Sequence, residues 1–494
     1  MPETWANIGG GIREAVPTGQ HLGVGTSAVV SPGQHLGIDL HLELAGTRVR
    51  AAMETALRDA VRSGRLAPGV RLPSSRDLAA DLGVARNTVA DAYGQLVAEG
   101  WFEARTGSGT WVAERPVPPV ARSAGAAVQR AAGPRYDLRA GIPAVAAFPR
   151  RAWLAAGRAA LTAADDSVLG YPDPRGLAEL RVALAEYLGR ARGVLASPEN
   201  VIICSGFAHG LAVLCRALSE RGGRPALAIE AYGHLLHRRI AAASGMRITP
   251  LPVDASGACD AACGEAAAAV LTPAHQDPLG MTLAPARRTA FVRWAAATGG
   301  VVIEDDYDGE FRFDRQPVGA MQALAPEHVV YAGTASKSLA PGLRLGWLVV
   351  PDSMTEEILA AKEMSGGGNG TLEQLTLAAF ISSGGYDRQI RQSRLVYRRR
   401  RDRLIAALRR SAPAIRLTGI AAGLHAVAEL PAHVSEEAVV EAAARHGVAV
   451  DGLRLYTAPG HERGPALVVG YGHPAEHAFT TALGRLCAAL AETT

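Results

Sequence analysis

Between residues 46 and 64 the apolar positions Val49, Met53, Leu57, Ala60 and Val61 recur at three- and four-residue intervals and fall on one face of a predicted helix. Ala67-Pro-Gly69 breaks that helix, and a second is expected within Leu72 to Leu82, capped by Ser74 or Ser75. After a tight turn at Gly83-Val84, a third helix runs from Ala85 to Val97 with Val89, Ala92, Tyr93, Leu96 and Val97 on its apolar side. Gly100 to Val112 then holds two short strands around Thr106-Gly-Ser-Gly109, a hairpin wing with Arg105 near its tip. Two short helices joined through glycine have the geometry of a helix-turn-helix, which pushes the start of the second helix into a major groove. Here that start is Arg86, Asn87 and Thr88: arginine reads guanine edges, while asparagine and threonine take base or phosphate contacts.

Further along, the helical period gives way to unbroken apolar runs that predict buried strands: Val201-Ile-Ile203, Val301-Val-Ile303, Val329-Val-Tyr331, Trp347 to Val350 and Ala466 to Gly470. Several run straight into chemistry. Lys337 lies among small residues on the connection between two of these strands, with Thr334, Ser336 and Arg344 around it. A lysine amine in such a loop condenses with an aldehyde, and two hydroxyls with a fixed cation suit a phosphate. Pyridoxal 5'-phosphate, PLP, combines both needs. In Val301-Val-Ile-Glu-Asp-Asp-Tyr-Asp308 a strand ends in acids and a phenol, which places Asp305 to pair with a protonated pyridine nitrogen and Tyr307 to reach the 3-hydroxyl oxygen. The bland alternative is a solvated acidic turn or a metal site. Val201 to Leu211 passes from strand to glycine turn to helix, so that the free N–H groups around Ser205, Gly206, Phe207 and Ala208 form a phosphate cradle.

Composition narrows the setting. A chain of 494 residues, 48% apolar and 20% charged, accommodates more than one domain and a sizeable core. Its net charge of +4 forces no nucleic-acid partner, so any basic surface is local. Cys204, Cys215, Cys259, Cys263 and Cys487 make an odd set with no disulfide framework, and Cys259-Asp-Ala-Ala-Cys263 lacks partners at zinc spacing, so no metal is expected. Neither a signal segment nor a run of 18 apolar residues is present, which predicts a cytoplasmic protein with no membrane partner. Arg388, Arg391, Arg394, Arg398 to Arg401 and Arg403 crowd one predicted helix, a face for DNA or for acids of a partner subunit.

These pieces carry two resemblances. Tyr171-Pro-Asp-Pro-Arg-Gly-Leu-Ala-Glu-Leu-Arg181, Thr272-Pro-Ala-His-Gln-Asp-Pro-Leu-Gly280, the acidic turn and the lysine stretch together resemble a fold-type I aminotransferase. That resemblance implies that Lys337 forms the internal aldimine, Asp305 binds the ring nitrogen, and Tyr307 binds the 3-hydroxyl oxygen. Arg344, Thr334 and the turn from Ser205 to Ala208 then hold the phosphate. Tyr171 matches the tyrosine that reaches the phosphate of the neighbouring subunit, which implies a homodimer. Leu72-Pro-Ser-Ser-Arg-Asp-Leu-Ala79 and Gly107-Ser-Gly-Thr-Trp-Val112 resemble the winged helix-turn-helix of GntR-type regulators, by which Ser75, Arg76, Arg86, Asn87, Thr88 and Gly107 contact DNA.

Joined in one chain, the two resemble the MocR subfamily of bacterial transcription regulators. The expected fold class is an N-terminal, mainly α winged helix-turn-helix plus an α/β PLP-dependent aminotransferase-like domain. The expected layout is an extension over residues 1–40, the DNA-binding domain over 41–113, a linker over 114–135 and the effector domain over 136–494. Such a protein binds double-stranded operator DNA and senses PLP or an amine or amino acid. The alternative is a working aminotransferase with a regulatory domain attached.

Departures from the family pattern bear on the pocket. In Ala231-Tyr-Gly-His234, His234 takes the place of the ring stacked on the cofactor, with Tyr232 as the alternative if the turn is shifted. Asp277 occupies a position more often aromatic in the subfamily and alters the pocket wall. For an effector carboxylate, Arg463 is the nearest arginine before Ala466 to Gly470, with Arg454 a poorer choice.

Overall fold

In the computed structural model, which describes residues 49–114, 134–221, 225–313, 318–366 and 368–493, the chain divides into two compact units, residues 1–129 and 130–494. The extension expected over residues 1–40 and most of the linker lie outside the described residues.

In the first unit the three helices run Val49–Arg62, Ser75–Leu82 and Arg86–Ala98. Their apolar faces meet at Met53, Leu57, Ala60, Leu78, Val89, Ala92 and Leu96, and Phe102 and Val112 of the hairpin close the core from one side. The first helix buries a narrower stripe than its pattern suggests: Val49 is exposed and Val61 half-buried. Ser74, not Ser75, caps the second helix, its hydroxyl accepting the Asp77 N–H at 3.2 Å. Gly83 ends that helix with φ of 65°, a left-handed turn that glycine adopts without cost and that aims the third helix. The wing pairs Phe102–Arg105 antiparallel to Gly109–Val112.

The second unit is built on a seven-stranded sheet in the order Val201–Cys204, Gly346–Val349, Val329–Thr334, Val301–Asp305, Ala268–Leu271, Ala226–Glu230 and Arg247–Leu251. All neighbours are parallel except Gly346–Val349, which runs against both of its partners. Helices cover both faces, so five strand interiors are apolar throughout; Thr249 and Glu304 are the polar residues within the other two. A four-stranded antiparallel sheet, Arg416–Thr418, His425–Glu429, Ala466–Gly470 and Asp451–Gly452, lies further along the chain, after the long helix Gly385–Ser411.

Behind the sheet's polar edge, Arg192 makes a two-pronged ion pair with Asp306 at 2.6 and 3.0 Å, both side chains buried, and Tyr331 Oη donates to the same carboxylate at 2.7 Å. Removing one partner of such a pair strands a buried charge. Arg192→Ala is therefore expected to lower unfolding stability by about 3–5 kcal/mol in urea melts, and Arg192→Met combined with Asp306→Leu to recover part of that loss.

Candidate cofactor site and nucleic-acid interface

The carboxyl ends of the parallel strands converge on one edge of the sheet, the place where open α/β sheets bind ligands. Asp305 ends its strand there, fully buried, and its Oδ1 has no hydrogen-bond partner among the described residues. Burial, reinforced by the charge of Asp277, pushes its carboxyl well above the usual carboxylate range. The neighbouring acids are all engaged. Glu304 accepts the N–H groups of Met321 and Gln322 at 2.8 and 2.9 Å, Asp306 holds Arg192, and Asp308 lies 2.8 Å from His275 Nδ1. Tyr307 Oη is 3.1 Å from that same His275 nitrogen.

Lys337 rides on a one-turn helix, Ala335–Ser338, where a loop was expected. Its Nζ donates to the Gly141 carbonyl. Gly141 has a φ of +77°, which glycine adopts without strain, and a Cβ there would crowd that nitrogen at 3.2 Å. Burial lowers the Lys337 pKa, against the opposing pull of Asp277, Asp305 and Asp308.

Across the next two strands, Gly206 precedes the helix Phe207–Glu220, whose first turn has no side-chain cap, so the Phe207 and Ala208 N–H groups face outward. The Arg344 guanidinium comes within 3.7 Å of where a Gly206 Cβ would be, and a Cβ on Gly346 would fall 2.8 Å from the Gly206 Cα. Glycine at both positions brings the anion-binding turn, the arginine and the lysine helix to one edge.

Some expected ligands are otherwise engaged. The Thr334 hydroxyl caps the lysine helix by accepting the Ser336 N–H at 3.1 Å and lies 2.9 Å from the Ser336 hydroxyl. The Ser205 N–H, expected to be free, donates to His209 Nδ1 at 3.0 Å, and its hydroxyl accepts from Asn369 at 3.0 Å. Arg463 donates to the Val253 carbonyl and lies over the Tyr232 ring, 5.2 Å from its centroid. Tyr232 in turn donates to the His461 carbonyl. His234 caps the helix Leu235–Ala243 and lines a small cavity with Asp305, Asp277, Glu230, His237 and Arg238. Tyr171 is fully exposed.

Three residues escaped the sequence reading. His275 links Tyr307 to Asp308, Asn369 braces Ser205, and His237 packs its ring edge-on to Phe207 at 4.8 Å. Burial and the neighbouring His234 push His237 down to about 3, which keeps it neutral beside Lys337. The signals were there: His275 follows a buried strand directly, and His237 stands one helical turn beyond His234.

In the first unit, Arg86 and Asn87 are exposed on the opening turn of the third helix, with Thr88 half-buried behind them. Arg76 and Gly107 are exposed and Ser75 is half-buried. Arg105 lies over the Trp111 ring at 4.8 Å and 3.4 Å from Glu103, so the wing holds it in place. Of the arginines on Gly385–Ser411, Arg400 is buried against the Tyr471 and Gly472 carbonyls and Arg394 donates to the Glu310 carbonyl, while Arg391, Arg398 and Arg399 are exposed.

Comparison with known proteins places both units. Residues 50–112 match the family described as bacterial regulatory proteins, gntR family, and residues 137–464 match aminotransferase class I and II. Solved structures similar to the second unit include the kynurenine aminotransferase of Pyrococcus horikoshii, at 24% identity and TM-score 0.66 over 73% of this chain and 92% of that one. Another is the α-aminoadipate aminotransferase LysN of Thermus thermophilus, solved with N-(5'-phosphopyridoxyl)-L-leucine, at 25% identity and TM-score 0.64 over 72% and 91%. Fold and site thus define a GntR-type DNA-binding unit joined to a fold-type I aminotransferase domain.

Relatives share that whole arrangement. The pyridoxine biosynthesis transcriptional regulator PdxR of Corynebacterium glutamicum is 32% identical over 86% of this chain and 92% of its own length. The probable rhizopine catabolism regulatory protein MocR of Rhizobium meliloti is 33% identical over 79% and 84%. The transcriptional regulator TauR of Rhodobacter capsulatus is 31% identical over 87% and 94%. The chain belongs to the MocR type of GntR-family transcription regulators.

Because burial lowers the Lys337 pKa, its nitrogen loses its proton at a lower pH than an ordinary lysine does. Reductive labelling with a small aldehyde across a pH series, read by peptide mapping, is expected to modify Lys337 at lower pH than Nα-acetyl-lysine added as an internal standard; labelling in step with that standard would contradict the burial effect.

Proposed function

We propose that this protein is a homodimeric, PLP-dependent transcription regulator. Its N-terminal unit binds operator DNA through Arg86, Asn87 and Thr88 with support from Ser75, Arg76, Arg105 and Gly107. Its second unit holds PLP and senses the cofactor or an amine. The observation that carries the cofactor reading is the buried, unpartnered Oδ1 of Asp305 at the strand end, with Lys337 on the adjacent strand's extension. A protonated pyridine nitrogen supplies the hydrogen bond and the charge this oxygen lacks. When bound, PLP supplies an aldehyde that condenses reversibly with primary amines.

The chain's own residues set the rest. Gly206, the Phe207 and Ala208 N–H groups and Arg344 form the phosphate end. Tyr307, anchored by His275, holds the 3-hydroxyl oxygen, and His234 covers the ring. Ser205, Ser336 and Thr334 support this shell, and Tyr171, exposed on one chain, completes the site of a second. Sensing requires that a ligand bind the DNA-competent and DNA-incompetent states unequally. Genes of vitamin B6, amine or amino acid metabolism are the proposed targets, by analogy with the relatives' names.

Asp305→Ala is expected to weaken PLP binding about 10- to 100-fold in absorbance titrations, the worth of a hydrogen bond to a charged group. Lys337→Ala is expected to abolish covalent PLP attachment, read by borohydride reduction and mass spectrometry, while leaving basal binding to the protein's own upstream region intact. Arg86→Ala is expected to weaken that operator binding about 10- to 100-fold in anisotropy titrations at physiological salt, with much less effect on unrelated DNA. Equal losses on both DNAs would contradict base reading by this residue, and no operator retention by the wild-type dimer would overturn the function.

A further inference from the structure

The cavity beside Asp305 contains a carboxylate that the cofactor reading does not use. Asp277 follows the strand Ala268–Leu271, its N–H held by the Thr272 hydroxyl at 3.1 Å and its carbonyl by the Gln276 amide at 2.7 Å. Its carboxylate lines the cavity beside Asp305 and accepts no hydrogen bond from the described residues. The nearest cationic candidate, His425 Nε2, is 4.0 Å away, lies 3.1 Å from the Pro278 carbonyl, and is disfavoured as a cation by burial.

Arg238, the arginine lining the same cavity, directs its guanidinium to the backbone carbonyls of Gly233, at 3.0 Å, and Tyr456. Arg139, in the outer pocket that shares His234, is paired with Asp137 at 2.6 Å. Arg239 lies in that outer pocket as well, exposed, at the mouth and not in the inner cavity. Among the described residues lining the inner cavity, Asp277 thus offers a carboxylate free of hydrogen bonds, while the guanidinium of Arg238 is committed to backbone carbonyls. Asp305, buried and unpartnered, independently marks it as a ligand site.

Resting on the sensor reading above, we propose that Asp277 restricts the effector to primary amines with no carboxylate on the carbon that bears the nitrogen. An α-amino acid sets its carboxylate one carbon from the reacting nitrogen, where Asp277 repels it in a site of low dielectric. An alkyl amine or diamine brings only positive charge, which Asp277 attracts.

n-Pentylamine and L-norleucine have a single amine each and differ only in that carboxylate, so they isolate the effect. Calorimetric titration of the full-length, PLP-loaded protein is expected to show n-pentylamine binding at least about tenfold tighter than L-norleucine. Asp277→Asn is expected to cut that preference about tenfold, and Asp277→Glu to retain it. Equal affinity for the two ligands in the wild type, binding of neither, or an unchanged ratio in Asp277→Asn would overturn the proposal. The wild-type comparison stands even if a variant fails to fold. Borohydride labelling of Lys337 in the same preparation separates the two levels: labelled protein without discrimination refutes the role of Asp277 alone, whereas unlabelled protein refutes the cofactor reading and this inference with it.

Discussion

A carboxylate sealed at the end of a central strand with one oxygen unpartnered is the constraint on which the second unit depends. Burying an ionised group without a partner is costly, and the usual escape is protonation. At Asp305 that escape is what burial favours, since Asp277, Asp306 and Asp308 add to the negative field. Only a cation placed against Oδ1 lets the carboxylate ionise. The surrounding acids show that this is local design and not a general surplus of charge. Glu304, Asp306 and Asp308 sit in the same turn, and each has its own donors.

The fold explains how so many groups reach one edge. Parallel strands deliver Cys204, Glu230, Leu271, Asp305 and Thr334 at the same end of the sheet, and the reversed strand Gly346–Val349 begins there. Two glycine backbones in contact, Gly206 and Gly346, draw the anion-binding turn toward Arg344. A side chain at Gly346 would hold these parts apart, and one at Gly206, with φ of +88°, would strain the turn. The N-terminal unit obeys a separate logic. A small core of helix faces, closed by a hairpin, leaves the start of the helix Arg86–Ala98 exposed.

Much of this was legible in the sequence because burial writes itself as uninterrupted apolar runs. The strands ending at Asp305 and Thr334, the turn at Gly206 and the three N-terminal helices follow from that pattern and from glycine placement. What the sequence could not rank was the set of four acids from Glu304 to Asp308, since only their partners, Met321, Gln322, Arg192 and His275, distinguish them, and one of these, Arg192, lies more than a hundred residues away. For a related reason, proximity in sequence to the strand Ala466–Gly470 does not fix which way the Arg463 side chain turns, and it donates to the Val253 carbonyl. Thr334 and Ser336 were legible as hydroxyls near the lysine, but not as the cap of a one-turn helix.

Arg344 occupies the left-handed region with φ of 52°, the only residue other than glycine to do so among those described. A side chain there costs about 1–2 kcal/mol relative to a relaxed backbone, and glycine would remove that cost at once. Keeping arginine means that the empty protein is less robust than its own scaffold permits. An anion that engages the guanidinium repays the deficit, so resistance to heat and to proteases should track occupancy of the pocket and not the quality of the core.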